Sequence, residues 1–149
     1  MRSVLLVGIS LTLVASLSGQ GGGSPSATYI GGDKVQGAIT KGGAALFAIP
    51  DGSGSVAAGH RDKAGQVELH ETVTEIYYVI DGEATFVTGG TMLDAKPTRP
   101  GNQSGSSISG GETFHLKKGD GMVIPPMTPH WFKEVPSGIS YYVVNVTKK

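Results

Sequence analysis

The chain has 149 residues, enough for one domain with a hydrophobic core of its own. Twelve basic and twelve acidic side chains give a formal net charge of zero, which provides no electrostatic reason for a nucleic acid or an anionic membrane as partner. The lack of cysteine excludes disulfides, thiolate metal ligands and a thiol nucleophile. With 24 glycines and 8 prolines, turns must be frequent, which favours many short strands over a few long helices.

The N-terminal segment has the pattern of a secretory signal. Arg2 supplies a positive charge, Val4 to Ala15 forms an apolar run of signal-peptide length, and small residues that permit cleavage follow at Ser16, Ser18 and Gly19. The run is short for a membrane span, and no second apolar segment follows. We therefore expect a signal peptide over residues 1–19 and a mature protein that is secreted or periplasmic, without a membrane partner. An uncleaved anchor is the alternative.

The next segment is interpreted as a leader over residues 20–43, followed by the main domain over residues 44–149. A short helix is predicted within the leader, over Asp33 to Lys41. Val35 and Ile39 lie four residues apart there, which places both side chains on one helical face.

Glycine and proline punctuate the main domain at short intervals. The Asp81-Gly82 pair stands between two β-rich runs and predicts a hairpin. Residues 89–110 are polar and rich in turn residues, and are predicted to form a surface loop. The predicted strands are Ala44–Ile49, Ser55–His60, Gln66–His70, Glu75–Ile80, Glu83–Thr88, Glu112–Leu116, Gly121–Ile124, His130–Val135 and Ile139–Val146. Many short strands without an internal repeat indicate a single β-sandwich or barrel.

Four side chains of metal-ligand type are spaced so that they could converge. Glu68 and His70 are two apart in a predicted strand and therefore point to the same face. A turn after His70 can bring Glu75 beside them, and His130 lies on a later strand of the same barrel. Such a set suits Fe(II), Mn(II), Zn(II), Ni(II) or Co(II) better than calcium. The alternative is a solvated strand with an ordinary surface histidine, because His and Glu are common on exposed strands.

Three further residues are candidates for the wall of the same pocket. Tyr77 shares the strand parity of Glu75, and Phe132 shares that of His130, as does Glu134. His60 could face the cavity from a neighbouring strand as a proton relay. The alternative is that His60 is a partly exposed strand residue.

Two motifs identify a family resemblance. The first is His70-x4-Glu75-x6-Gly82, and the second is Gly119-x5-Pro125-x3-Pro129-His130. In this order and spacing they resemble the two motifs of the cupin superfamily, Gly-x5-His-x-His-x3-4-Glu-x6-Gly and Gly-x5-Pro-x-Gly-x2-His-x3-Asn. The resemblance covers residues 44–146. It implies an all-β fold, the cupin double-stranded β-helix or jelly-roll barrel, here together with the short N-terminal helix predicted above.

The resemblance also implies site residues. His70, Glu75 and His130 match metal-ligand positions, whereas Glu68 stands where the family has its first histidine. A carboxylate at Glu68 could coordinate the metal, or stay outside the coordination sphere and act as a general base.

The chain departs from the second motif in two places. Met127 replaces its glycine, and Glu134 occupies its asparagine position.

We interpret the chain as a secreted metal-binding cupin that acts on a small oxygenated molecule at a divalent transition metal. The resemblance does not select among dioxygenase, isomerase and lyase chemistry. The alternatives are a non-catalytic module that binds a small molecule or a sugar, and a structural protein with a vestigial site. The apolar final strand, Ile139 to Val146, is compatible with a homodimer.

Overall fold

The computed structural model describes residues 26–148, so the predicted signal peptide and the start of the leader lie outside the described residues. Within this range the chain forms one α-helix and twelve β-strands. Their bounds are α1 Gly32–Thr40, β1 Gly43–Ala48, β2 Gly54–Arg61, β3 Val67–His70, β4 Val73–Thr88, β5 Thr91–Leu93, β6 Lys96–Arg99, β7 Asn102–Gly105, β8 Ser107–Ser109, β9 Glu112–Lys117, β10 Gly121–Ile124, β11 His130–Glu134 and β12 Ile139–Thr147. The short helix confirms the one predicted in the leader. Nowhere in the described range is a helix both long and apolar enough to cross a membrane.

The strands form two antiparallel sheets that share β4. Sheet A contains, in order, β1, β2, β12, the first half of β4, and β10. Sheet B contains, in order, β6, β7, β3, β11, the second half of β4, and β9. Strands β5 and β8 pair as a separate ribbon. Because β4 runs from one sheet into the other, the sheets curl around a common interior, and this confirms the all-β jelly-roll barrel.

The hairpin predicted at Asp81-Gly82 is wrong, because β4 continues through this pair as one strand. Residues before Gly82 pair with β12 and β10, whereas residues after it pair with β11 and β9. Gly82 has a φ of 82°, and a Cβ there would overlap the carbonyl oxygen of Gly138. The glycine therefore marks the bend at which β4 passes from sheet A to sheet B.

The surface loop predicted for residues 89–110 is also wrong, since this stretch contains the strands β5 to β8. Strand β7 pairs with β3 in a register that places Asn102 opposite His70 and Ser104 opposite Glu68. These short polar strands lack the apolar alternation by which strands are recognised in a sequence. Their pairing extends sheet B directly beside the strand that carries two of the candidate ligands.

Aromatic rings fill the interior between the sheets. Phe86 is fully buried and packs edge-on against Phe132, with 4.8 Å between the ring centroids. Tyr77 and Tyr141 are also buried, with 5.2 Å between their centroids. These four rings, the ring cluster below, supply most of the large apolar contacts on which the candidate ligands rest.

The helix α1 covers part of the outer face of sheet A. Ala38 of α1 packs against Leu46 and Ala58, which are buried on β1 and β2. Val35 and Ile39 pack against the same cluster, as their helical spacing predicts.

Candidate metal centre

Strand register brings three of the candidate ligands together in sheet B. His130 lies directly opposite Glu68 on the neighbouring strand, and His70 follows Glu68 by two residues on the same face. Glu75 comes from the other sheet, where it pairs opposite Asn145 near the start of β4. The candidate site therefore lies between the two sheets, inside the barrel.

The distances fit a single small ion. One ligand atom each from Glu68, His70 and His130 lie within 4.8 Å of one another. Glu75 Oε1 is 3.5 Å from His70 Nε2, and Glu75 Oε2 is 3.0 Å from His130 Nε2. Glu68 Oε2 is 3.8 Å from His70 Nε2. The structure thus brings the four predicted ligands into one cluster, and gives the chain a possible metal-binding group.

Both histidines are held by the ring nitrogen that faces away from this cluster. His70 Nδ1 lies 2.5 Å from Asn102 Oδ1, and His130 Nδ1 donates to the carbonyl oxygen of Thr128 at 3.1 Å. A proton held on Nδ1 leaves the Nε2 lone pair free. Ligating histidines usually have such a partner, because it fixes both the tautomer and the ring orientation.

The Nε2 atom of His130 is buried and has no hydrogen-bond partner among the described residues. It lies 3.0 Å from Glu75 Oε2, but the two groups do not meet at a hydrogen-bonding angle. Leaving a buried polar atom unpaired costs about 1–3 kcal/mol, so such atoms are rare. A divalent transition ion between His130 and the carboxylates would remove this cost, and the mixed nitrogen and oxygen donors suit Fe, Mn, Zn, Ni or Co.

Without a metal, Glu75 and His130 favour opposite charges. Burial alone raises the pKa of Glu75, but its contacts with His130, His70 and Tyr77 outweigh burial and hold that pKa below the ordinary value of 4.5. Burial alone lowers the pKa of His130, but the Glu75 carboxylate and the Thr128 carbonyl outweigh it and raise that pKa above 6.5. Protons and a metal ion must therefore compete for His130.

The corner before His130 depends on Met127. Its φ of 62° lies in the left-handed region that favours glycine, the residue that the cupin motif has at this position. The Met127 N–H donates to the carbonyl oxygen of His70 at 2.8 Å. This bond ties the two ligand-bearing segments together, so the backbone keeps the motif's conformation although the side chain differs.

Tyr77 and Phe132 form a packed floor beneath the ligands. The Tyr77 hydroxyl donates to Glu75 Oε2 at 3.3 Å, and burial raises the pKa of Tyr77 well above its ordinary value, so the phenol stays protonated. Phe132 packs against Tyr77 with 5.8 Å between the ring centroids. Both residues lie next to the cluster, as predicted from strand parity, but they belong to the ring cluster and not to an open cavity.

The cavity beside the site lies between β3, β6 and β7. It has a volume of about 280 Å³, and Glu68, His70 and Asn102 are in its wall. Arg99 lines it from β6. The volume is at the lower limit for ligand pockets, so only a small molecule fits.

Arg61 is the main residue that sequence reasoning missed. Its guanidinium carbon lies 5.0 Å from the centroid of Phe132, Nε donates to the Tyr141 hydroxyl at 3.2 Å, and Nη2 donates to Glu68 Oε1 at 3.2 Å. Burial alone lowers the pKa of Arg61, but Tyr141, Glu68 and Tyr77 outweigh it and keep the pKa above its ordinary value. The sequence analysis ends the strand at His60 and assigns Arg61 to a turn. One more strand residue would have placed Arg61 on the inner face.

His60 is not brought to the cluster. It neighbours Arg61 on β2, so the two side chains point to opposite faces of sheet A. His60 Nδ1 lies 2.8 Å from Ser140 Oγ, and Nε2 lies 2.8 Å from Asp62 Oδ1. The interpretation of His60 as a residue of the metal-site pocket is corrected accordingly, and the alternative of a partly exposed strand residue describes its position.

Glu134 does not share the face of His130. The register between β11 and β4 shifts between Phe132 and Glu134, which places one extra residue in β11. Glu134 is therefore exposed, and it accepts a hydrogen bond from the Thr85 hydroxyl at 3.0 Å. Counting by twos from His130 fails here because a bulge reverses the alternation.

Solved structures with low sequence identity share the fold. A conserved protein with a double-stranded β-helix domain from Klebsiella pneumoniae is 15% identical, with a TM-score of 0.52 over 76% of this chain and 86% of that one. The Cnp3 cupin domain of Schizosaccharomyces pombe is 14% identical, with a TM-score of 0.51 over 71% of this chain and 60% of that one. The DMSP lyase DddQ of Ruegeria pomeroyi is 17% identical, with a TM-score of 0.47 over 64% of this chain, which spans 39% of the lyase.

A family model settles the classification that the fold suggests. No curated protein sequence matches the chain. The model described as Cupin matches residues 34–149, which include both motifs, all four candidate ligands and most of α1. The chain therefore belongs to the cupin family.

Proposed function

We propose that this protein is a metal-dependent enzyme that acts on a small oxygenated molecule at a divalent transition metal in the barrel. The observation that carries the proposal is the convergence of Glu68, His70 and His130, with Glu75 in contact with both histidines. The unpaired, buried Nε2 of His130 supports it further, because a metal-binding role explains an atom that is otherwise costly to bury.

Each residue has a distinct role in the proposal. His70, Glu75 and His130 hold the metal, while Asn102 fixes the orientation of His70. A bound divalent ion acts as a Lewis acid that polarises a substrate oxygen. Glu68 either completes the coordination or accepts a proton from the substrate, and its partly exposed carboxylate can reach the 280 Å³ cavity. The ring cluster below excludes water from one side of the site.

Metal analysis of protein purified without chelators tests the proposal. We expect about one transition-metal ion per chain, measured by mass spectrometry of the digested protein. His70→Ala and His130→Ala should lose the ion, whereas His115→Ala should retain it, since His115 is exposed on β9. Wild-type protein that stays metal-poor after incubation with Mn(II), Fe(II) and Zn(II) would refute the metal site.

A second candidate function is a non-catalytic module that binds a small molecule. The Arg61–Glu68 ion pair favours it, because a carboxylate that already accepts a hydrogen bond from a guanidinium is a weaker proton acceptor. The metal-loaded wild type should be incubated with a panel of small hydroxy and oxo acids. Product formation that is lost in Glu75→Ala identifies an enzyme, whereas saturable binding without any product identifies a binding module.

We also propose that the protein is exported and loses residues 1–19. The positive charge, the apolar run and the small residues that follow it support this proposal.

A further inference from the structure

Arg61 places a positive charge at the mouth of the candidate metal site. It is half-buried at the end of β2, and its guanidinium is fixed by three contacts: the face of Phe132, the Tyr141 hydroxyl and Glu68. Three such contacts restrain the long side chain to one orientation. Part of the entropy cost of binding a ligand to Arg61 is therefore already met in the folded protein.

The guanidinium still has unused hydrogen-bonding capacity. Arginine carries five N–H donors in a planar fork. Within the described part of the chain, Arg61 uses one on Tyr141 and one on Glu68. Gly65 lies against the guanidinium, because a Cβ at Gly65 would come within 2.7 Å of Arg61 Nη1. The loop thus leaves the space beside Nη1 free of a side chain.

The Glu68 carboxylate shows what kind of group fits between Arg61 and the metal ligands. Its Oε1 accepts from Arg61 Nη2 at 3.2 Å, while its Oε2 lies 3.8 Å from His70 Nε2. A carboxylate therefore already connects the guanidinium with the cluster. We propose that the site takes a small carboxylic acid, whose carboxylate binds Arg61 in competition with the side chain of Glu68.

Charge favours an anionic ligand in the metal-loaded site. Arg61 offsets the charge of Glu68, and Glu75 offsets one of the two charges of a divalent ion. One positive charge is left over, which a monoanion would balance. Arg99 adds a second guanidinium to the wall of the neighbouring cavity. The volume of that cavity, about 280 Å³, restricts the ligand to a short acid.

This inference rests on the proposed metal site for its charge balance, but Arg61 can be tested by itself. A purely structural Arg61 would only neutralise Glu68 and cover Phe132. Its loss would then lower stability without any preference between charged and neutral ligands. A ligand-binding Arg61 distinguishes a carboxylate from its uncharged amide, and Glu68 opposes the same ligand.

Lactate, with lactamide as its uncharged isostere, serves as the probe pair, and acetate, glycolate and malonate extend the set. Dissociation constants are measured by NMR titration of isotope-labelled protein, both chelator-treated and loaded with Zn(II). The variants are Arg61→Met, Arg61→Lys and Glu68→Gln. Lys63→Met is the matched control, since it removes one positive charge from an exposed residue two positions from Arg61. Circular dichroism checks that each variant is folded.

We expect Arg61→Met to weaken lactate binding by about tenfold, the value of one charge-assisted hydrogen bond. Arg61→Lys should weaken it less, Glu68→Gln should strengthen it, and lactamide binding should be unchanged. Equal binding of lactate and lactamide by the wild type, or an Arg61→Met affinity equal to that of Lys63→Met, would overturn the proposal. So would the absence of saturable binding for every acid in the set.

The two proposals fail in different ways. Loss of the metal site leaves the chelator-treated titrations intact, because these depend on Arg61 and Glu68 alone. Conversely, a chain that holds Zn(II) but does not distinguish lactate from lactamide keeps its metal site and lacks the acid site. If Arg61→Met does not fold, Gly65→Ala replaces it, because the new Cβ displaces the guanidinium and should weaken lactate binding alone.

Discussion

Glu68 and His130 face each other on the neighbouring strands β3 and β11, although they are far apart in the chain. This pairing joins the two sequence motifs in space, since His70 follows Glu68 on the same strand face. Glu75 then closes the cluster from the opposite sheet, with Oε2 at 3.0 Å from His130 Nε2. The site therefore depends on correct register within sheet B and on correct packing of the two sheets.

Asn102 orients His70, so Asn102→Ala should weaken metal binding while leaving the fold intact. Loss of such a supporting hydrogen bond typically costs about 10–100-fold in metal affinity. Competition with a chelator measures the affinity for Zn(II). The neighbouring Gln103→Ala is the control, because its side chain makes only a 3.5 Å contact with Glu71. Equal affinities for the two variants would show that Asn102 does not support the site.

The metal-free protein should be stabilised by the Glu75–His130 contact within a limited pH range. Glu75 has a lowered pKa, so its contribution is present above 4.5 and is lost as the pH falls through the folded-state value. His130 has a raised pKa, so its contribution is complete below 6.5 and is lost as the pH rises through the folded-state value. The contribution is therefore largest between pH 4.5 and 6.5.

Urea unfolding of chelator-treated wild type and Glu75→Gln, compared across this pH series, measures the contribution. The difference in free energy of unfolding should have a maximum in the stated range. A difference that does not vary with pH would show that the two residues do not interact as ions.

Met127→Gly should preserve or raise stability, despite the loss of a side chain. Left-handed backbone costs a non-glycine residue about 1–2 kcal/mol, while glycine adds about 0.5–1 kcal/mol of unfolded-state entropy, so the net gain is up to about 1 kcal/mol. Met127→Val should be less stable than the wild type, because β-branched residues tolerate this conformation poorly. Urea unfolding gives both values. A clear loss of stability in Met127→Gly would mean that the exposed methionine side chain contributes packing.

Gly82→Ala should be much more harmful than Gly119→Ala, although both glycines have positive φ values of 82° and 90°. The backbone strain is similar at the two positions, but only at Gly82 does a new Cβ meet the carbonyl of Gly138, whereas Gly119 has open space. Overpacking adds about 1–3 kcal/mol at Gly82. Thermal unfolding compares the two variants, and equal losses would mean that β4 can shift away from Gly138 without cost.

The exported protein should begin after the predicted signal. N-terminal sequencing of the protein recovered from the periplasm or the medium should give a first residue just beyond Ser16, Ser18 or Gly19. Recovery of a chain that still contains Val4 to Ala15, in the membrane fraction, would support the uncleaved anchor instead.

The sequence by itself determined the barrel and the identities of the four clustered side chains. Strand alternation and glycine spacing are local properties, so they survive in the sequence. Only the tertiary structure decided how Arg61, Asn102 and Glu134 are placed. Asn102 reaches His70 through pairing of polar strands, Glu134 is turned outward by a bulge, and Arg61 is turned inward by one extra strand residue. Pairing and register depend on contacts between distant segments, which no local pattern of residues records.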